Sequence, residues 1–74
     1  MREISEIMDI FAYRLRDLIQ EKGWNIQRFS KIIKLPRTTI NSWILKTRSP
    51  KIDNLCTIAD FFGVSVDYLL GRED

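Results

Sequence analysis

The sequence predicts an all-α fold, a compact domain of five short helices. Three observations lead there. Apolar residues recur at spacings of three and four rather than two. The periodic segments are separated by isolated breakers, Gly23, Pro36, Pro50, Gly63 and Gly71, and no Pro/Gly-rich linker splits the chain. Finally, 74 residues with 45% apolar content suit one small domain with a real core. A domain of this size buries only part of its unfolded surface, so modest stability is expected.

The first helix is carried by Ile4, Ile7, Met8, Phe11, Leu15 and Leu18, which lie on one stripe. Arg14, Arg16, Asp17 and Glu21 fall mostly outside it. Ser5 or Asp9 is the candidate N-cap, and Gly23 ends the helix. The stripe continues upstream of Phe11, so residues before it are expected to be helical. A helix over residues 4–22 would be about 28 Å long at 1.5 Å per residue. That exceeds what a compact core covers, so its upstream part is expected to pack on a second copy. The chain therefore divides into an N-terminal extension (1–10) continuing the first helix, a domain (11–71) and a short tail (72–74).

Asn25 caps a second helix to about Ile33, with Phe29 and Ile33 inward. A third begins near Pro36 and buries Ile40, Trp43 and Ile44. Proline at a helix start loses nothing, because its missing N–H would be unpaired anyway. Ser49–Pro50 opens a fourth helix to about Phe62, with Leu55, Ile58, Ala59 and Phe62 inward, and Gly63 stops it. Ser65 caps a last helix over residues 66–70, and Gly71 ends that.

Charge narrows the function. Between Lys22 and Ile52 there is no acidic residue and there are eight basic ones: Lys22, Arg28, Lys31, Lys34, Arg37, Lys46, Arg48 and Lys51. The remainder holds four basic and ten acidic residues, so +8 and −6 sum to the overall +2. A segment of one sign attracts a polyanion, and nucleic acid is the first candidate. The chain has no histidine, which excludes imidazole zinc ligands and a His general base. With no Gly-rich phosphate loop and no clustered carboxylate pair, neither an enzyme nor a cofactor or metal site is expected. Cys56 is the single cysteine, so no intramolecular disulfide forms; it is expected to be a small buried apolar residue. No apolar run approaches the roughly 20 residues that span a membrane, and no secretory leader pattern is present. A cytoplasmic protein is expected.

The second and third helices are joined by a turn of only about three residues, Lys34–Leu35–Pro36, so they must cross steeply, as in a helix-turn-helix. Ser30 sits where they come closest. The pair occupies the centre of the acid-free segment, and such a pair places its second helix in the DNA major groove.

At these residues the chain resembles a known family. The stretch GWNIQRFSKIIKLPRTTINSWILKTRSPKIDNLCTIADFFGVSVDYLLG is similar to the Cro/repressor-type (XRE) helix-turn-helix domain of phage and bacterial regulators, and the likeness spans residues 11–71. "TTINSW" resembles the recognition-helix pattern, and "IADFFGVSVDYLLG" resembles the closing helices. The resemblance implies a five-helix, repressor-like fold and a transcriptional regulator, most often a repressor. It also implies sequence-specific binding of a double-stranded operator, usually as a symmetric homodimer. Five positions depart from the family. Ile26 stands where a phosphate-contacting Gln is common, and Lys34 where a left-handed Gly is common. Pro36 replaces a Ser or Thr cap, and Ile19 with Ile44 replaces an Arg–Glu pair. The last exchange predicts an apolar contact between the two isoleucines.

With Ile40, Trp43 and Ile44 inward, Thr38, Asn41, Ser42 and Leu45 project outward and Arg37 sits at the helix start. The expected base readers are Arg37, Thr38, Asn41 and Ser42, because Arg suits guanine, Asn suits adenine and a Thr methyl suits thymine. The expected phosphate contacts are Asn25, Arg28, Lys46, Thr47, Arg48 and Lys51, which flank that helix. Trp43 is expected in the core and Trp24 as a loop anchor, rather than as base-stacking platforms. Dimer contacts are expected from residues 66–70 and the N-terminal stripe. No membrane association or small-molecule ligand is expected. The alternative function is a protein-interaction module, such as the antitoxin half of a toxin–antitoxin pair, on the same scaffold.

Overall fold

The computed structural model describes residues 3–73. Residues 1, 2 and 74, the outer ends of the expected extension and tail, lie outside the described residues. Five helices and no strand are present among the described residues: α1 (Ile4–Glu21), α2 (Ile26–Ile33), α3 (Arg37–Ile44), α4 (Ile52–Phe62) and α5 (Val66–Leu69).

The apolar stripe of α1 divides in two. Phe11, Leu15 and Ile19 are fully buried, and Met8 packs on the same cluster. One turn further upstream Ile4 is 80% exposed. The helix therefore runs past the core it serves. Its N-cap is Glu3, in extended backbone and without a side-chain capping bond, rather than Ser5 or Asp9. A capping residue must stand in non-helical backbone just ahead of the first turn. Ser5 and Asp9 are already inside the helix. At the other end Gly23, at φ 76°, donates to the Gln20 carbonyl at 2.9 Å, and the Trp24 N–H reaches the Ile19 carbonyl at 3.3 Å. This paired bonding with a left-handed residue satisfies the last carbonyls of the helix.

Asn25 caps α2 as expected, its Oδ1 accepting from the Arg28 N–H at 2.8 Å. The turn to α3 opens at Lys34, whose left-handed backbone (φ 63°, ψ 41°) does what glycine ordinarily does there. Leu35 N–H then closes on the Ser30 carbonyl at 3.1 Å. Ser30 is buried, and its hydroxyl donates to the Gln27 carbonyl at 2.6 Å, so the crossing of α2 and α3 leaves that polar group satisfied. Pro36 caps α3 through its carbonyl alone, which accepts from Thr39 N–H at 3.1 Å and Ile40 N–H at 3.2 Å.

Two sequence expectations about α4 are corrected. The helix starts at Ile52 with Lys51 as N-cap, after Ser49–Pro50, because its first helical bond runs from Leu55 N–H to the Lys51 carbonyl. Cys56 is exposed. The inward side of α4 carries Leu55, Ile58, Ala59 and Phe62, and Cys56 lies about 100° round the axis from Leu55. Ser65 caps α5 from the Tyr68 N–H at 2.9 Å, and α5 closes one residue earlier than expected, with Leu70 as its C-cap.

One cluster takes residues from every helix: Phe11, Leu15, Leu18 and Ile19 from α1, Phe29 from α2, Ile40 and Trp43 from α3, Ile58 and Ala59 from α4, and Leu69 from α5. Ile44 packs against this cluster, which contains Ile19. Trp43 meets Phe11 edge-on at 6.2 Å, inside the core. Trp24 stacks on Phe29 at 6.4 Å and tilts against Phe61 at 5.9 Å, anchoring the loop before α2. Both rings hold the fold together, as their positions in the sequence imply. Arg14 ties the two ends: its guanidinium lies over the Tyr68 ring at 4.3 Å, donates to the Tyr68 carbonyl, and reaches the Glu73 carbonyl at 2.8 Å.

Candidate nucleic-acid interface

The buried pair Ile40 and Trp43 fixes the rotation of α3 about its axis. The opposite side then follows from helical geometry. Arg37 and Thr38 are exposed at its start, Asn41 and Ser42 are half-buried along it, and Leu45 is 68% exposed at its end. An eight-residue helix carried on two inward anchors presents its N-terminal turn outward with little freedom to roll.

The segment after α3 is held by that helix. Lys46 adopts a left-handed conformation at φ 63°, which reverses the chain. Thr47 N–H and Arg48 N–H then both donate to the Ser42 carbonyl, at 2.9 and 3.3 Å, and the Thr47 hydroxyl donates to the same oxygen at 3.3 Å. Ser42 is thus an anchor as well as an outward residue. Its own hydroxyl donates to the Thr39 carbonyl at 2.6 Å, which leaves its oxygen lone pairs as acceptors.

The fold brings these pieces into one groove of about 760 Å³. Thr38, Thr39 and Ser42 of α3 line it together with Arg48, Lys51 and Asn54. Two expected base readers thereby share a groove with two expected phosphate contacts. Arg37 and Asn41 are not among its lining residues. Thr39 and Asn54 escaped the sequence reading. Thr39 sits one position from an inward residue, and Asn54 falls in the first turn of a helix whose orientation only packing sets. Asp53 also lines the groove, so the acid-free segment ends against a carboxylate in space as in sequence.

The remaining expected contacts lie apart. Asn25 and Arg28 are exposed at the start of α2, the Asn25 oxygen being engaged as the helix cap. Lys46 points away from the groove and pairs with Asp9 of α1 at 2.8 Å. Among the described residues, no cluster of His, Cys, Asp or Glu could hold a metal ion. None of their helices is long and apolar enough to cross a membrane.

Comparison with known proteins agrees with this geometry. A helix-turn-helix family model matches residues 15–69, from the middle of α1 to the end of α5. The HTH-type transcriptional regulator AnsR of Bacillus subtilis (strain 168) is 32% identical over 60 residues, which cover 81% of this chain and 52% of AnsR. The uncharacterized HTH-type transcriptional regulator YobD of the same organism is 26% identical over 65 residues, covering 88% of this chain and 58% of YobD. The chain thus spans little more than half the length of these curated relatives. The crystal structure of a hypothetical transcription factor, NHTF, from Neisseria superposes with a TM-score of 0.79 at 23% identity, over 95% of this chain and 80% of that one. That likeness is one of fold. The family model covers most of the folded unit, and the chain belongs to the XRE helix-turn-helix family.

Proposed function

We propose that this chain is a sequence-specific, double-stranded-DNA-binding transcriptional regulator that reads the major groove with α3 and acts as a repressor. The observation that carries this reading is the shared groove. Thr38 and Ser42 of α3 share it with Arg48 and Lys51, and all four belong to a segment with eight basic residues and no acidic one. A reading helix flanked by cations is what a duplex edge bordered by phosphates requires.

In this reading Arg37 and Asn41 take the bidentate contacts to guanine and adenine, while Thr38 and Ser42 supply a methyl and an acceptor to neighbouring bases. Asn25, Arg28, Thr47, Arg48 and Lys51 hold the phosphate backbone, with Lys46 available once it leaves Asp9. Residues 11–71 form the DNA-binding unit, 1–10 extend it and 72–74 trail it. Two copies bind a two-fold-symmetric operator in the cytoplasm. Repression follows from occupancy alone, since a protein lying across an operator excludes polymerase without needing any further activity.

A gel-shift titration on the DNA upstream of the gene, repeated over a salt series, tests the reading. Several phosphate contacts predict a steep linear fall of log K with log salt, about 0.9 per contact. Absence of binding, or binding that ignores salt, points instead to a protein-interaction module of the antitoxin kind.

A further inference from the structure

We propose that Asp9 is a positioning residue for DNA binding: by pairing with Lys46 it holds that cation off the phosphate backbone and weakens binding to duplexes of any sequence. The inference rests on the DNA-binding reading above. It concerns a residue that lies outside the basic segment and outside the helix-turn-helix.

Glu21 and Asp53 border the segment from Lys22 to Ile52 that holds the eight cations, and no acidic residue lies inside it. The fold supplies one. Asp9 projects from the upstream half of α1, and its Oδ1 lies 2.8 Å from Lys46 Nζ. Among the described residues this is the one ion pair made by a cation of that segment, the other pair being Arg72 with Asp67. The two residues meet in a shallow corner that Ile44, Tyr13 and Arg16 also line.

The backbone at Lys46 points the same way. At φ 63° it occupies the left-handed region, where glycine is at ease and a side chain is crowded. The neighbouring amides of Thr47 and Arg48 are folded back on Ser42. The loop is therefore fixed on the groove side, and the lysine leaves on the other side, toward α1.

Magnitudes separate this role from a stabilising one. The side chains are 48% and 60% exposed, so the pair stands in water and contributes little to folding. Lys46 lies between Leu45 and the phosphate candidates Thr47 and Arg48, and screening acts over only about 10 Å at 0.1 M salt. Moving one ammonium onto or off a phosphate at that range changes the count of released counterions by about one. One contact that vanishes at 1 M salt is worth about eightfold in affinity at 0.1 M, from a slope of about 0.9, and an exposed pair offsets part of it, up to about fivefold.

The experiment measures binding of a random-sequence duplex over a salt series by wild type, Asp9→Asn, Asp9→Glu, Lys46→Gln and the double variant Asp9→Asn/Lys46→Gln. Asp9→Asn is expected to bind up to about fivefold tighter at 0.1 M salt, with a steeper salt slope. Asp9→Glu, which keeps a carboxylate, is expected to stay near wild type. In the Lys46→Gln background most of the gain from Asp9→Asn is expected to disappear. Thermal unfolding of all five proteins checks that each is folded. An unchanged affinity for Asp9→Asn overturns the proposal, and so does an equal gain in both backgrounds, which would make Asp9 a diffuse repulsive charge. A wild type that binds neither this duplex nor the DNA upstream of the gene instead removes the DNA-binding reading, and that outcome is read from a separate curve.

Discussion

Lys34 and Lys46 are the non-glycine residues in left-handed backbone among the described residues, and both flank α3. Each sits where glycine relieves crowding, at a cost of roughly 1–2 kcal/mol against the lost backbone freedom that glycine itself brings. Lys34→Gly is therefore expected to raise stability by up to about 1 kcal/mol in urea unfolding. An unchanged or lower midpoint would show that the Lys34 side chain makes a compensating contact. The reading residues separate from the clamping residues by a different logic. Arg37→Ala and Asn41→Ala are expected to cost about 1–3 kcal/mol on the operator and little on random DNA, because an unpaired base edge reports sequence. Arg48→Ala and Lys51→Ala are expected to weaken both DNAs alike and to flatten the salt slope by about 0.9 each, because a released counterion does not. Equal losses on both DNAs for Arg37→Ala and Asn41→Ala would remove α3 as the reading element.

Helices α2 and α1 each carry a test of whether a local signal has one role or two. Asn25 caps α2 through its Oδ1, which leaves its amide nitrogen for a phosphate. Asp is as good a cap as Asn, so Asn25→Asp is expected to keep the unfolding midpoint within about 0.5 kcal/mol while weakening DNA binding through repulsion of the phosphate. Loss of stability without loss of binding would confine Asn25 to capping. In α1 the exposed Ile4 and the packed Met8 lie on one stripe, so the helix outruns the core by about one turn. Removing residues 1–7 is expected to lower the circular-dichroism signal for helix and to reduce self-association, with the buried set from Phe11 onward retained. If neither quantity moves, the upstream turns serve no packing purpose.

The molecule as a whole is electrically divided, +8 in one continuous segment and −6 in the rest. Such a division is expected to orient the protein in the field of a duplex before contact. One eight-residue helix reads too few base pairs for useful specificity, so two copies are expected on the operator, with half-sites about 34 Å apart. Sedimentation of the complex gives the stoichiometry. A single half-site bound as tightly as the full operator would contradict the dimer. The free apolar surface favours α1 over α5 as the place where copies meet: Leu69 is fully buried and Arg14 already covers Tyr68, whereas Ile4 stands open.

Much of this was legible in the sequence because the signals are local. A stripe at helical spacing, an Asn or Ser ahead of it and a breaker behind it are all read within a few residues. That is why the five helices, the caps at Asn25 and Ser65, the inward Ile40 and Trp43, and the outward start of α3 follow from the chain alone. Tertiary structure decided what depends on how helices rotate and dock. It set the side of α4 that faces solvent, and with it the exposure of Cys56 and the appearance of Asn54 in the groove. It made the Ser42 carbonyl the anchor for Thr47 and Arg48. It also brought Asp9 to Lys46, since a carboxylate on one helix meets a cation beyond another only where packing of the shared core sets their distance and angle, and no periodicity along the chain encodes that meeting.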